Sequence, residues 1–204
     1  MINSLSGLAI FGLAGFALTT GCTPSVMLNH YTLSSHAVHD RGGAQPEAVT
    51  RSIGLGPLTL PDMVDRPQLV LRTSAHRVVL TETHRWAGPL KTEIARVLAD
   101  NLATLLGSRS IPSYPQRGAE RADVRVSVDI QRFESILGKS ATIDAIWTVQ
   151  WTDGTQRTDR AQVQEPVPDE SYDALVAAHS RALLTISQDI ALTIRGNDKA
   201  APIR

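Results

Sequence analysis

The 204-residue chain has a single cysteine, so no intramolecular disulfide framework can form. It has no surplus of either charge: 20 Lys and Arg stand against 20 Asp and Glu, with a sequence pI near 7.0. That balance argues against nucleic acid as the main partner, because phosphate binding needs a basic excess. Hydrophobic residues make up 42%, ordinary for a globular protein and too low for a multi-span membrane protein. The motifs Gly-x-Ser-x-Gly, the Walker-type loop and His-Glu-x-x-His are all missing. Gly54-x-Gly56 lacks a third glycine and opens no helix, which argues against a dinucleotide-binding turn. No internal repeat is evident.

The one cysteine takes its meaning from its position. Residues 5–18 form an apolar run of 14, shorter than the roughly 20 a bilayer span needs and suited to a signal-peptide core. It runs into Leu18-Thr19-Thr20-Gly21-Cys22, a lipobox-like end. On this reading the Cys22 thiol takes a diacylglycerol, the chain is cut before Cys22, and the new amine is acylated. More than one acyl chain gives stable anchoring. Two features depart from the pattern: the segment before the run has no Lys or Arg, and Thr19 stands where Leu is commoner. The alternative is an ordinary secretory signal with an incidental Cys, or a short core helix. Thr23, rather than Asp, after Cys22 is compatible with the outer membrane. The expected organisation is a signal peptide over 1–21, a tether over 22–27, one domain over 28–196 with a mobile loop at 34–50, and a flexible tail over 197–204.

The stretch 53–90 organises the domain. Residues 53–60 are apolar and punctuated by Gly54, Gly56 and Pro57. Pro61 and Pro67 bias their neighbours towards extended backbone. Runs 68–73 and 78–83 read as strands joined by a hairpin turn at 74–77. A helix is expected over 89–106, with Leu90, Ile94, Val97, Leu98, Leu102 and Leu105 on one face and Gly107 as its stop. A short edge strand is expected at 111–114. Residues 122–133 and 140–152 alternate cleanly, Asp153-Gly154 makes a hairpin turn, and a polar strand returns over 156–163. A second long helix is expected over 169–194, capped by Asp169 or Ser171 and ended by Gly196. Hairpins dominate and βαβ alternation is absent. The fold class is therefore α+β: a mostly antiparallel sheet with two long amphipathic helices packed on one face, in a single domain.

The same stretch carries a resemblance. The matching residues are Ile53-Gly54-Leu55-Gly56-Pro57, Leu60-Pro61-Asp62, Asp65-Arg66-Pro67-Gln68, Arg72, and Glu82 with His84-Arg85-Trp86-Ala87. They continue through Ala95-Arg96-Val97-Leu98-Ala99 and Asn101-Leu102, with Tyr31-Thr32-Leu33 upstream. The chain resembles the ABC-transport auxiliary lipoproteins of the paraquat-inducible protein C type (PqiC, or YmbA). One departure is His76, at a turn position where the family often has Asn and a positive φ is expected. The resemblance implies a non-enzymatic, lipid-anchored protein on the periplasmic face of the outer membrane. Its implied partners are an MCE-domain protein of the PqiB type and an inner-membrane permease, and it implies a homo-oligomeric ring. A lipid-anchored binding module or an envelope hydrolase is the competing class, and it calls for a deep pocket with convergent polar groups.

No catalytic constellation assembles from the sequence, and no metal or cofactor is expected beyond the acyl groups on Cys22. His36, His39 and Asp40 have ligand-like spacing but sit in a polar loop that would not hold them rigidly. His179 falls on the apolar stripe of the second helix and reads as a core histidine. Trp147 and Trp151 share one strand face, core by default. The candidate partner-binding residues are Arg66, Arg72, His84, Arg85 and Trp86, because arginine and tryptophan combine contact area with directed polar groups. The alternative is internal: Arg66 and Arg72 pair with Asp62, Asp65 or Glu82, His84 fixes the strand-to-helix turn near a carboxylate such as Glu82, and Trp86 packs the hairpin on the helix.

Overall fold

The computed structural model describes residues 27–35 and 48–198. Cys22, His36, His39 and Asp40, with the expected signal peptide, most of the tether and most of the 34–50 loop, lie outside the described residues.

The class is α+β, built on two sheets rather than one. The smaller has strand order β1-β4-β3, with β1 Asn29–Tyr31, β3 Gln68–Ser74 and β4 Arg77–Trp86. The larger has order β2-β5-β6-β7, with β2 Ile53–Thr59, β5 Val124–Ile136, β6 Ser140–Trp151 and β7 Gln156–Pro166. The three hairpin pairs are antiparallel. The pairs β1/β4 and β2/β5 are parallel and join strands distant in sequence. Alternation along a strand reports its buried face and not its neighbour, so these two pairs leave no local signature.

Helix α1, Leu90–Leu105, buries Leu90, Ile94, Val97, Leu98 and Leu102. Gly107 takes a left-handed φ of 64° just after it, the conformation that favours glycine. A short helix α2, Arg117–Glu120, packs on β2. The long helix α3, Tyr172–Asp198, starts on two side-chain caps: Asp169 accepts from the Ser171 amide at 2.8 Å, and Ser171 Oγ accepts from the Ala174 amide at 3.1 Å. Gly196 does not stop it. Arg195 donates to the Leu105 carbonyl at 2.8 Å, holding the last turns of α3 against an open carbonyl at the end of α1.

α1 and α3 pack on each other and on the large sheet, α1 over β2 and α3 over β6 and β7. The core between them takes Val124, Val126, Val128 and Ile130 of β5 and Ala145, Trp147, Val149 and Trp151 of β6. β3 lies against β5 and joins the sheets. The expected strand at 111–114 is a single bridge, Leu55 with Ser113, because Pro112 and Pro115 lack amides to continue a ladder. Gly54 is required by close approach: a Cβ there would meet the Ala119 carbonyl oxygen at 2.5 Å. No described non-glycine residue has positive φ, so His76 does not adopt the conformation expected of it.

Candidate partner-binding site

The β3–β4 hairpin holds all five candidate residues or their neighbours, but their environments differ. Trp86 ends β4 and is 5% exposed, its ring packed edge-on against Phe133 at 6.1 Å. It is a core residue that leaves almost no surface to a partner.

Arg72 points from β3 to β5, where its Nε donates to the Glu134 carboxylate. Its Nη1 donates to the Ala75 carbonyl at 3.0 Å, across the hairpin turn. One side chain therefore fixes the hairpin tip and ties the small sheet to the large one. The expected acidic partners were Asp62, Asp65 or Glu82; the partner is Glu134, 62 positions away. Beside this pair runs an open groove of about 470 Å³, lined by Pro61, Met63, Val70, Val78 and Phe133.

His84 does not approach Glu82 through any hydrogen bond. Its Nδ1 is 2.7 Å from the Tyr31 hydroxyl on β1, and its ring stacks on Tyr172 at 3.6 Å and 7°. The sequence offers little warning that three aromatic rings from β1, β4 and α3 converge here. Burial raises the Tyr31 phenol above its ordinary pKa, with the Asp173 charge adding to it, and burial raises the Tyr172 phenol too. Both hydroxyls therefore stay protonated at neutral pH. Tyr31-Thr32-Leu33 is fastened further along: Leu33 is buried, its carbonyl accepts from Arg96 at 2.6 Å, and Thr32 donates to Glu93 at 2.6 Å.

Arg66 and Arg85 lie at the hairpin base, where the Trp86 amide donates to the Pro67 carbonyl at 2.7 Å. Both arginines are half-buried, and the Nε of each is buried without a hydrogen-bond partner among the described residues. A buried N–H left unpaired costs about 1–3 kcal/mol, so these groups favour any acceptor that reaches them.

His179 is fully buried, stacked on Phe133 at 4.0 Å and bonded through Nε2 to Ser135 Oγ at 2.8 Å. Burial pushes its pKa down to about 3, so it stays neutral as packing material. Trp147 and Trp151 are buried, 3% and 2% exposed. Among the described residues no three His, Cys, Asp or Glu side chains group closely enough to hold a metal ion.

Similar proteins agree with this architecture. A crystal structure of an uncharacterized protein superposes with a TM-score of 0.68 at 18% identity, covering 82% of this chain and 99% of the other. Protein XCC0632 from Xanthomonas campestris, of family DUF330, also reaches 0.68, at 16% identity over 85% of this chain and 99% of its own. At these identities the likeness establishes the fold alone. No curated protein matches. The model of the ABC-type transport auxiliary lipoprotein component family matches residues 31–191, taking in the large sheet, the β3–β4 hairpin and most of α3. The chain belongs to the family of ABC-type transport auxiliary lipoprotein components.

Proposed function

We propose that this chain is a non-enzymatic auxiliary lipoprotein of an MCE-type intermembrane lipid transport system. Acyl groups on Cys22 hold it to the periplasmic face of the outer membrane, and the hairpin base contacts an MCE-domain protein of the PqiB type, which works with an inner-membrane permease. Family membership supports the transport role. The observation that carries the contact is the pair of half-buried arginines, Arg66 and Arg85, whose Nε–H groups have no acceptor among the described residues. Carboxylates or carbonyls of a partner would supply one. His84 supports this surface by fixing β4 to α3, and Arg72 and Trp86 hold the hairpin from inside.

The competing reading, a binding module or hydrolase, needs polar groups converging on a pocket. Of the three charged residues lining the groove, Arg72 and Glu134 are bonded to each other and Arg132 is exposed, and the buried His179 is held by Ser135 and Phe133. Self-association, possible through the long outer strand β7, belongs to the same proposal: a sheet edge invites pairing with another copy.

Co-purification from envelope membranes tests the partner assignment. Arg85→Ala is expected to leave the melting temperature near wild type and to reduce recovery of the MCE-domain protein. Unchanged recovery with Arg66→Ala and Arg85→Ala combined would move the contact elsewhere.

A further inference from the structure

β4 is covered on its outer side for only part of its length. β1 pairs with His84, Arg85 and Trp86, and among the described residues no strand lies beyond positions 77–83. That open half carries three consecutive apolar residues, Val78, Val79 and Leu80, 37%, 44% and 41% exposed. Consecutive strand residues point to opposite faces, so the run presents apolar surface on both faces around one free edge. Folding does not require this, and an open apolar edge is an aggregation liability unless something covers it.

The route of the chain says what covers it. β1 runs parallel to β4 with Asn29 beside His84, so Leu28 and Met27 lie on the side of β1 that faces back along β4 towards Leu80 and Val78. Met27 and Leu28, the first described residues, are themselves 83% and 46% exposed. Only four residues separate Cys22 from Met27, five steps along the chain. At about 3.3–3.6 Å per residue the reach is at most roughly 17 Å. An acyl chain on Cys22 thus brings the bilayer to the same end of the molecule as the open strand.

We propose that the 77–80 half of β4, together with Met27 and Leu28, rests in the headgroup boundary of the bilayer that holds the anchor. This rests on the acylation of Cys22 proposed above. The depth is bounded by chemistry. Unpaired strand N–H and C=O groups are tolerated where water and lipid oxygens reach them and not in the hydrocarbon core. Arg77 before the run and Glu82 after it, both exposed, keep it at the interface. Docking would orient the domain, with the hairpin tip towards lipid. Arg85 stands six residues, roughly 20 Å of strand, beyond Val79 and just past the position beside Leu28, at the membrane-distal margin of the docked face.

The test uses the full chain, processed in cells fed a labelled fatty acid and reconstituted into vesicles of phosphatidylethanolamine with a minor share of phosphatidylglycerol. Val79→Cys carries an environment-sensitive fluorophore, and Gln162→Cys on β7 carries the same dye as a reference. The expected result is fatty-acid label in the protein, with a blue shift and quenching by nitroxide-bearing lipid at position 79 but not at 162. Label present with position 79 as water-exposed as 162 overturns the docking and leaves the anchor standing. A blue shift at 79 that lipid nitroxide does not quench assigns the edge to a second copy of the chain and likewise overturns it. Absence of fatty-acid label overturns anchor and docking together. Val79→Lys provides an independent check: weaker lipid quenching at a dye on Val78→Cys supports docking, and unaltered quenching contradicts it.

Discussion

His84 and Tyr172 lie face to face, 3.6 Å between ring centroids and 7° between planes. This contact joins β4, in the small sheet, to the first turn of α3, in the layer that covers the large one. With the Tyr31 hydroxyl on His84 Nδ1, it fastens two neighbouring strands of the small sheet, β1 and β4, to α3, three elements distant from one another in sequence. Aromatic pairs contribute about 0.5–1.5 kcal/mol beyond the area they bury. Tyr172→Ala is therefore expected to destabilise the domain by about 2–3 kcal/mol, and His84→Ala by somewhat less. A double-mutant cycle read by urea unfolding measures the coupling. Additive effects would mean that the two rings merely lie side by side.

His179 makes stability depend on pH in a defined window. Its folded pKa is near 3 against an ordinary 6.5, so between these values the unfolded chain binds the extra proton. Stability is fully present above 6.5 and falls as pH drops, by at most about 1.4 kcal/mol per pH unit. Urea midpoints taken between pH 7 and pH 5 check this, above the range where carboxylates dominate. His179→Leu is expected to flatten the slope in that window, whatever it does to absolute stability. An unaltered slope would assign the dependence to other groups.

The Arg72–Glu134 pair carries the tie between the sheets. Both side chains are partly screened, 29% and 19% exposed, so the pair lies between the surface and buried regimes. Arg72→Ala is expected to destabilise the domain by about 1–3 kcal/mol, with a coupling to Glu134→Ala of about 1–2 kcal/mol. High salt should weaken this coupling less than that of the exposed Arg96–Asp100 pair. Equal salt sensitivity would mean that solvent reaches both pairs alike.

Gly54→Ala should fail for a backbone reason. The new methyl meets the Ala119 carbonyl at 2.5 Å, and neither β2 nor α2 yields by rotating a side chain. A loss of about 1–3 kcal/mol is expected, as for other overpacked sites. Gly196→Ala, with nothing within 4 Å and a helical setting, should be neutral or stabilising. The pair of melting temperatures decides whether β2 glycines serve packing.

Elements that declare themselves by local pattern were legible in the sequence. Alternation at Val124, Val126, Val128 and Ile130 marked β5, the 3.6-residue stripe from Leu90 to Leu102 marked α1, and Asp153-Gly154 marked a turn in which glycine takes φ 88°. What depends on distant partners was not. The parallel pairs and the choice of Glu134 for Arg72 are tertiary outcomes without local spacing. Gly196 misled because a helix end is set by what holds its last turn, and Arg195 holds this one. At the candidate site the hairpin was legible and its division was not: Trp86 and Arg72 turn inward, whereas Arg66 and Arg85 keep unpaired Nε groups at the base.

The most direct test of the central claim is affinity isolation of the acylated chain from fractionated envelope membranes, with the co-purifying proteins identified by mass spectrometry. The account predicts recovery in the outer-membrane fraction together with an MCE-domain protein. That recovery should be lost from the outer-membrane fraction in Cys22→Ala, which takes up no fatty acid and stays unprocessed, and weakened without loss of fold when Arg66 and Arg85 are both replaced by Ala. Wild-type chain recovered from the inner membrane, or from the outer membrane with no MCE-domain protein under crosslinking, would contradict it.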